Sequence, residues 1–582
     1  MTIFKSQHPD IDLPTEITIF EWLFGETSRY SPLNNVPEEE LAGYLDASTE
    51  KRVSWKEVKQ AATFISTALA KQYGFQTGDT ISLFSRNSIW YPVTLFAAIR
   101  LGGIVSGASP AYNVEEMTYA LKTANAKFLA THPSSIAVAS QAAKNAGIPQ
   151  SRIFLLEGSL DGYTTVQELI DIGKSYGGQG QVAAYKLPPG KKNGDLCGFL
   201  SFSSGTTGLP KAVMISHQNV IAQALQIQQL TPEEPRRKSL GALPLFHITG
   251  LVHSLHLPVF MNAEVIMLPE FSMEAMLDAV VRYQIAELLL VPPLLIRLVR
   301  DPVVQRYDLS CIRRFSSGAA PVSEEILQLL QQRFPGTGFK QGYGMTESCS
   351  CITAHPPDAY DWRYAHKVGK IVASTEVRIL RDSDSDDEGT TTQSEADVGE
   401  PGEILARGPQ IVMGYLNNDA ATRATFLPGG WLRTGDQGVV DADGFITITD
   451  RIKEMIKVKG IQVAPAELED LLLGHAAVED CAVLGVPDDR AGERPKAYIV
   501  AKQQQQPQNQ TGQGHLRALG ADIIRYVEEH KVRHKWVKEI EFTDEIPKSA
   551  SGKILRRVLR DRARQGTNGV VVKAAREEKA RL

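Results

Sequence analysis

No uninterrupted apolar run in this 582-residue chain reaches ~18 residues, the length a membrane-spanning helix needs, so no span is expected. The first thirteen residues carry Lys5, His8, Asp10 and Asp12 and no apolar core, which argues against a secretory signal. Cysteine is scarce: Cys197, Cys311, Cys349, Cys351 and Cys481 are odd in number and irregular in spacing. That pattern does not build a disulfide framework and suits reduced thiols inside a cell. Cys349 and Cys351 lack the second cluster that a zinc site would require. Charge of one sign is also lacking: 62 Lys and Arg against 67 Asp and Glu leave a net charge of -5. Such a balance gives no reason to expect nucleic acid or an anionic membrane as partner.

What is present is an ordinary globular composition, with 43% hydrophobic and 22% charged residues. The length exceeds what one hydrophobic core supports, so two or more domains are expected. From about residue 50 to 440, short apolar runs alternate with helical patterns. Ser54-Trp55-Lys56-Glu57 is a capping box opening a helix through Leu69, residues 80–84 read as a strand, and 88–101 as a helix closed by Gly102-Gly103. Residues 287–291 and 312–315 are strand candidates, and 288–295 reads as a buried strand running into a turn at Pro292-Pro293. Alternation of this kind predicts an α/β architecture with largely parallel sheets, whose ligands gather at the C-terminal ends of strands. Beyond about 451 the character changes to a compact α+β unit, with strands at 481–486, 496–500 and 537–542 and helices at 466–473 and 516–530. Two polar tracts, 382–400 and 503–513, read as solvated loops.

Against this background one loop stands out. Ser203-Ser204-Gly205-Thr206-Thr207-Gly208-Leu209-Pro210-Lys211 follows the apolar run 196–202. Its glycines let backbone amides approach a ligand closely, its hydroxyls donate to phosphate oxygens, and Lys211 supplies a point charge. A polyphosphate is the ligand such a loop holds. It is not the common P-loop, because Pro210 precedes the lysine and Ala212 follows it, leaving no adjacent hydroxyl for magnesium.

Further along, Gln341-Gly342-Tyr343-Gly344-Met345-Thr346-Glu347 offers a glycine-bracketed aromatic suited to a flat ring, a hydroxyl, and a carboxylate suited to magnesium. Trp431 to Asp436 ends on an acidic residue at a turn, able to accept both hydroxyls of a ribose.

In combination and in order, these segments resemble the adenylate-forming (AMP-binding) superfamily of acyl-CoA synthetases, luciferases and peptide-synthetase adenylation domains. The matching set also includes Pro244-Leu245-Phe246-His247, Ser316-Ser317-Gly318-Ala319-Ala320-Pro321, Gly402-Glu403-Ile404 through Gly414-Tyr415, Asp450-Arg451-Ile452-Lys453-Glu454 and Pro547 to Lys553. Within the superfamily the chain most resembles the 4-coumarate–CoA ligase-like group, including peroxisomal fungal members. The resemblance implies a large α/β domain, 1–450, of parallel or mixed sheets with flanking helices and a distorted β-barrel part. A small mobile α+β domain, 451–572, and a tail, 573–582, would follow.

The implied reaction has two steps: a carboxylate attacks the α-phosphate of ATP to give an acyl-adenylate and pyrophosphate, and the thiol of coenzyme A then displaces AMP. The resemblance assigns ATP or AMP binding to Ser203, Ser204, Gly205, Thr206, Thr207, Gly208, Lys211, Ser317, Gly318, Ala319, Gln341, Gly342, Tyr343, Gly344, Thr346, Asp436, Arg451 and Lys553. Glu347 would bind Mg2+. Lys553 would bridge the α-phosphate and the attacking carboxylate, with His247 and Thr346 beside it. Lys453 matches the hinge about which the small domain rotates. Lys457, Lys459, Gly460 and Gln462 would serve the coenzyme A step, Lys457 among the catalytic residues.

The acyl pocket implied by the resemblance draws on His247, Thr249, His253, Ser317, Gly318, Gly342 and Gly344. Coumarate ligases commonly carry a tyrosine at the position of Thr249 and a small residue at that of His253, so coumarate itself is not assigned. An aryl, medium-chain or hydroxylated acid fits equally. Alternatives are a luciferase-like or other adenylate-forming enzyme with a non-CoA acceptor, and a catalytically silent nucleotide-binding protein. The chain ends in Ala580-Arg581-Leu582, similar to the Ser-Lys-Leu address read by the peroxisomal import receptor, so a peroxisomal rather than cytoplasmic location is expected.

Overall fold

Ser54 and Glu57 satisfy each other's orphan amides: Ser54 N donates to Glu57 Oε2 at 2.7 Å and Glu57 N donates to Ser54 Oγ at 3.4 Å. The helix they open, Trp55–Tyr73, buries Val58, Ala62, Ile65 and Leu69 along one stripe. That stripe shares a hydrophobic cluster with Ile81, Val105 and Phe128 of a sheet of eight strands in the order 414–415, 211–216, 197–203, 104–108, 80–84, 126–131, 153–155, 164–165. The last six run parallel, and Lys211–Ser216 returns antiparallel beside Cys197–Ser203. These features come from a computed structural model, which describes residues 2–203, 210–234, 236–381, 394–488, 490–502, 512–549, 552–566 and 569–574.

A second sheet joins Glu287–Leu289, Arg314–Ser317, Gly338–Met345, Ser350–Ala354 and Lys370–Ile371, the first three parallel. A third, of four strands, pairs Lys238–Gly241, Glu264–Met267, Gly43–Asp46 and Arg52–Ser54. The part expected as a distorted barrel is a six-stranded antiparallel sheet that includes Gly402–Arg407, Trp431–Val440 and Ile446–Arg451. The run 288–295 departs from expectation. It splits into the strand Glu287–Leu289 and a helix, Pro292–Arg300, begun by the two prolines. Proline lacks the N–H that a helix cannot satisfy in its first turn, so the pair starts a helix here rather than a turn.

Beyond Arg451 lies a separate sheet built on the long hairpin of Val478–Asp488 and Gly492–Ala501, with helices Pro465–Leu473 and Gly512–His530 against it. Its hydrophobic clusters draw only on residues from Ile456 onward, and among the described residues no cluster mixes side chains from before and after Arg451. The two lobes meet through polar contacts. Arg300 donates to the carbonyls of Glu479 at 3.1 Å and Leu473 at 3.3 Å, and the amide of Glu324 donates to Asp470 Oδ1 at 3.0 Å.

Among the described residues, no helix is long and apolar enough to cross a membrane. Ser204, Gly205, Thr206, Thr207 and Gly208 of the phosphate-loop motif lie outside the described residues, as do 382–393, 503–511 and Ala580-Arg581-Leu582.

Candidate active site

Three strands from two sheets deliver their C-terminal ends to one cavity of about 1020 Å3, which also receives Lys211, His247 and Glu347 from loops and strand starts. Ser203, Ser317 and Gly344 mark those strand ends. Along Gly338–Met345 the two-residue period of a strand sorts the motif by face. Lys340, Gly342 and Gly344 line the cavity, whereas Gln341 and Tyr343 do not. Gly344 allows no side chain, because a Cβ there would lie 1.6 Å from the carbonyl oxygen of Ser350. Ala319, also on the cavity wall, holds φ at +70°, a backbone conformation that an alanine adopts only under constraint from its surroundings. Ser317 Oγ is buried on the same wall without a hydrogen-bond partner among the described residues.

Of the expected site residues, Thr249, His253, Gly318, Thr346, Arg451, Lys453 and Lys553 also border this cavity. Gln341 is buried with its amide donating to the carbonyl of Ala365, turned away from the cavity. Tyr343, expected against a flat ring, donates its hydroxyl to Asp436 Oδ2 at 2.7 Å. Asp436 in turn faces Arg451 across paired strands, with Arg451 Nε 3.6 Å from Asp436 Oδ1. Lys457 and Gln462 are cross-strand partners in the hairpin of Ile456–Val458 and Ile461–Val463, turned by Lys459 and Gly460 at φ +52° and +80°. All four are exposed and outside the cavity.

The chain segment carrying Lys553 belongs to the small lobe, yet it packs on the large one. Gly552 adopts φ +80°, and a Cβ built there would lie 3.0 Å from Pro293 Cδ. Lys553 N donates to Ser549 Oγ at 3.2 Å and the lysine carbonyl accepts from Ser549 N at 2.8 Å, closing a tight loop. Burial, and then the charge of Arg451, pushes the Lys553 ammonium down to about 8, against the pull of Asp436, Glu454 and Glu347. Burial and the charge of Lys553 push His247 down to about 4, so its imidazole is neutral at neutral pH. Its Nδ1 accepts from the amide of Thr249 at 3.3 Å, which leaves the proton on Nε2.

Opposite, Lys211 Nζ sits 4.5 Å from the centre of the Tyr415 ring, and the Tyr415 hydroxyl donates to Glu347 Oε1 at 2.9 Å. Glu347 therefore presents one oriented carboxylate at the cavity, a donor set that suits magnesium, which takes one or two carboxylates together with substrate phosphates. Among the described residues no cluster of three or more His, Cys, Asp or Glu forms a protein-only metal cage. A second group of charges lies along the cavity: Arg237, Glu287 and Lys340, with His253 donating to or accepting from Ser350 Oγ at 3.0 Å. Reading the sequence gave no role to Tyr415, Lys340, Glu287 or Arg237. Tyr415 closes a quoted motif, and Lys340 precedes Gly342 by one strand period, so both signals were present. Cys351 borders the cavity as well, and burial raises its thiol.

Residues 35–416 match the description of the AMP-binding enzyme family, and residues 467–553 that of the AMP-binding enzyme C-terminal domain. The chain is 34% identical to 4-coumarate–CoA ligase 2 of Oryza sativa subsp. japonica, covering 96% of this chain and 95% of that protein. It is 33% identical to peroxisomal OPC-8:0-CoA ligase 1 of Arabidopsis thaliana, over 89% of each. Its fold is similar to the crystal structure of the anthranilate CoA ligase AuaEII in complex with anthranoyl-AMP, with a TM-score of 0.80 at 26% identity, covering 95% of this chain and 98% of that one.

Proposed function

The chain belongs to the AMP-binding enzymes and is an AMP-forming acid–CoA ligase; on that premise we propose that it activates an aryl, medium-chain or hydroxylated carboxylic acid through the cavity between its lobes. The large domain, 1–450, binds ATP and the acid, and the small domain, 451–572, supplies Lys553. One observation carries the reading: a lysine of the small lobe reaches a cavity that also holds His247, Arg451 and Glu347.

Adenylation joins two anions, so its transition state needs positive charge where negative charge accumulates. Lys553 meets the α-phosphate and the incoming carboxylate together, and desolvation of its ammonium strengthens both contacts. His247 stays neutral and offers Nε2–H to the carboxylate without adding a charge. Thr346 contacts the α-phosphate. Ser203, Lys211 and the hydroxyls of 204–207 hold the β- and γ-phosphates, Lys211 braced over Tyr415. Ser317, Gly318, Ala319 and the Gln341–Gly344 strand wall the nucleotide, and Asp436, fixed by Tyr343 and Arg451, takes the ribose hydroxyls. Glu347 would hold magnesium, which when bound would supply neutralisation of phosphate charge.

The thioester step uses a second orientation. Rotation about Lys453 withdraws Lys553 and brings Lys457, Lys459, Gly460 and Gln462 to the site, a gating motion that opens a path for the thiol of coenzyme A. The weakly apolar, largely polar contact between the lobes supports such motion. Acid-dependent ATP–pyrophosphate exchange followed by coenzyme A-dependent AMP release, run over aromatic and fatty acids, tests the assignment. Lys553→Ala should keep its fold and lose exchange by about 100- to 1,000-fold. Unchanged exchange in that variant removes Lys553 from the chemistry.

The terminal Ala580-Arg581-Leu582 acts as a peroxisomal import address, a reading supported by the peroxisomal relative. A fluorescent fusion with and without the tripeptide tests it, and cytosolic signal in both defeats it.

A further inference from the structure

Along Gly338–Met345, Gly344 and Gly342 leave a bare trough, and Lys340 closes the same face about 13 Å from Gly344 at ~3.3 Å per residue. The trough therefore has two chemically different ends. Near Thr346 and Glu347 stand His247 and Lys553, where the carboxylate reacts. At the other end Lys340 stands with Arg237, Glu287 and His253.

The charges at that end do not cancel. Arg237 contacts Glu287 at 3.1 Å and Glu234 at 3.4 Å, and Arg314 contacts the same two carboxylates at 3.2 and 2.7 Å. Two arginines thus neutralise two glutamates. Glu287 Oε2 receives both arginines, and its Oε1 accepts from Ser316 Oγ at 2.9 Å. Lys340 is a third cation on the same cluster: its charge also faces Glu287 and helps hold that carboxyl low, so the group as a whole is one positive charge in excess. The Lys340 ammonium donates to the carbonyl of Leu230 at 3.3 Å and lies 5.7 Å from the centre of the Tyr360 ring, and among the described residues no carboxylate stands within 4.0 Å of it. Arg237 adds a second unmet donor: its side chain is 10% exposed and its Nε has no hydrogen-bond partner among the described residues.

His253 does not supply the missing acceptor charge, since burial and then the field of Lys340 hold its imidazole down at about 4 and hence neutral. A cluster with one positive charge in excess, and with Arg237 Nε unmet among the described residues, at one end of the trough is a receptor for an anion.

We propose that the acid this enzyme activates carries a second anionic group, a carboxylate in the simplest case, at the end remote from the reacting carboxyl, and that Lys340 is the specificity-determining residue that receives it. The proposal rests on the acid–CoA ligase reading and narrows its substrate class. A neutral hydroxyl at the same place gives Lys340 an acceptor but leaves the cluster's excess positive charge in place, so hydroxylated acids rank between dicarboxylic acids and plain ones. Only one carboxyl is activated: it forms the P–O bond as pyrophosphate leaves, and the other stays ionised against Lys340.

The test uses the full-length protein and matched acids, 3-phenylpropanoic acid bearing a para-carboxylate, para-hydroxyl or para-methyl group, with aliphatic mono- and dicarboxylic acids of equal length. Acid-dependent pyrophosphate exchange should show kcat/KM at least about tenfold higher for the doubly anionic member of each pair, chiefly through KM. Lys340→Met should erase that ratio while retaining exchange with the para-methyl acid. Lys340→Gln, which keeps a donor without charge, should erase the carboxylate preference and preserve that for hydroxyl. Neutral acids used as well as dianionic ones, or a preference unchanged in both variants, overturn the proposal. Exchange with no acid in the panel overturns the ligase reading itself, so the two failures are separate.

Discussion

Tyr343 and Asp436, 93 positions apart, are joined by a 2.7 Å hydrogen bond from the phenol to the carboxylate. Burial raises the Asp436 carboxyl, and Arg451, the Tyr343 hydroxyl and Lys553 oppose that rise. The aspartate is therefore held as an oriented acceptor by groups from two sheets and from the other lobe. In Tyr343→Phe the ring remains but a charge-assisted hydrogen bond of about 2 kcal/mol is lost. The KM for ATP should rise by about tenfold or more while the acid's KM changes little. Equal increases for both substrates would mean that Asp436 is not committed to the nucleotide.

Lys553 gives adenylation an alkaline limb. Its ammonium is held at about 8, and in the role proposed for it the charged form, which exists below that pH, is the active one. The kcat/KM of pyrophosphate exchange should therefore fall tenfold per unit above pH ~8. His247, held at about 4, contributes no change between pH 5 and 9. Exchange is the right assay because it excludes the thiol of coenzyme A. In Lys553→Arg the limb should vanish from whatever activity remains, and its persistence would assign it elsewhere.

Gly552 permits the approach of Lys553. Alanine there faces a left-handed φ of +80° and a Cβ 3.0 Å from Pro293 Cδ. The backbone penalty alone is about 1–2 kcal/mol, so Gly552→Ala should slow adenylation by about tenfold. Coenzyme A-dependent release from supplied acyl-adenylate should be unaffected, since the proposed rotation withdraws Lys553 for that step. Slowing of both half-reactions would point to general damage.

Arg300 holds the observed arrangement of the lobes, donating to Leu473 and Glu479 of the small lobe while paired with Glu325 at 3.3 Å. Arg300→Ala should lower exchange about three- to tenfold and leave the thioester step at its original rate or faster. Protease cutting near Lys453 should accelerate. Exchange at the original rate with unaltered cutting would show that the contact carries no weight.

The small lobe depends on a buried arginine. Arg556 meets Glu454 at 3.0 Å and Glu469 at 2.6 Å, with all three side chains about nine-tenths buried. Arg556→Met leaves two carboxylates without their cation, a loss of about 3–5 kcal/mol. A separate early transition on heating, with the large lobe unfolding where it did before, is the expected calorimetric trace.

Much of this architecture was legible because local rules and tertiary structure agree. The Ser54 box and the strand Thr80–Phe84 are set by neighbours in sequence and were read directly. Pro292-Pro293 was misread because an apolar run ending in prolines looks the same whether it enters a turn or a helix. Only the pairing of Glu287–Leu289 with Arg314–Ser317 fixes where the strand stops. The charge balance around Lys340 was invisible for a related reason. It is a sum over Glu234, Arg237, Glu287 and Arg314, brought together by three parallel strands and a loop. Gln341 and Tyr343 show the same limit: the motif names them, but strand alternation decides which way each one points.

Cys351 borders the cavity proposed to hold the mixed anhydride, and burial raises its thiol above the ordinary range. Nucleophilic attack belongs to thiolates, so that shift weakens the enzyme's own sulfur as a rival for the activated acid. Among the described residues Cys351 is the one cysteine on the cavity wall, so selection of the carrier thiol over the protein's own sulfur is built into its burial.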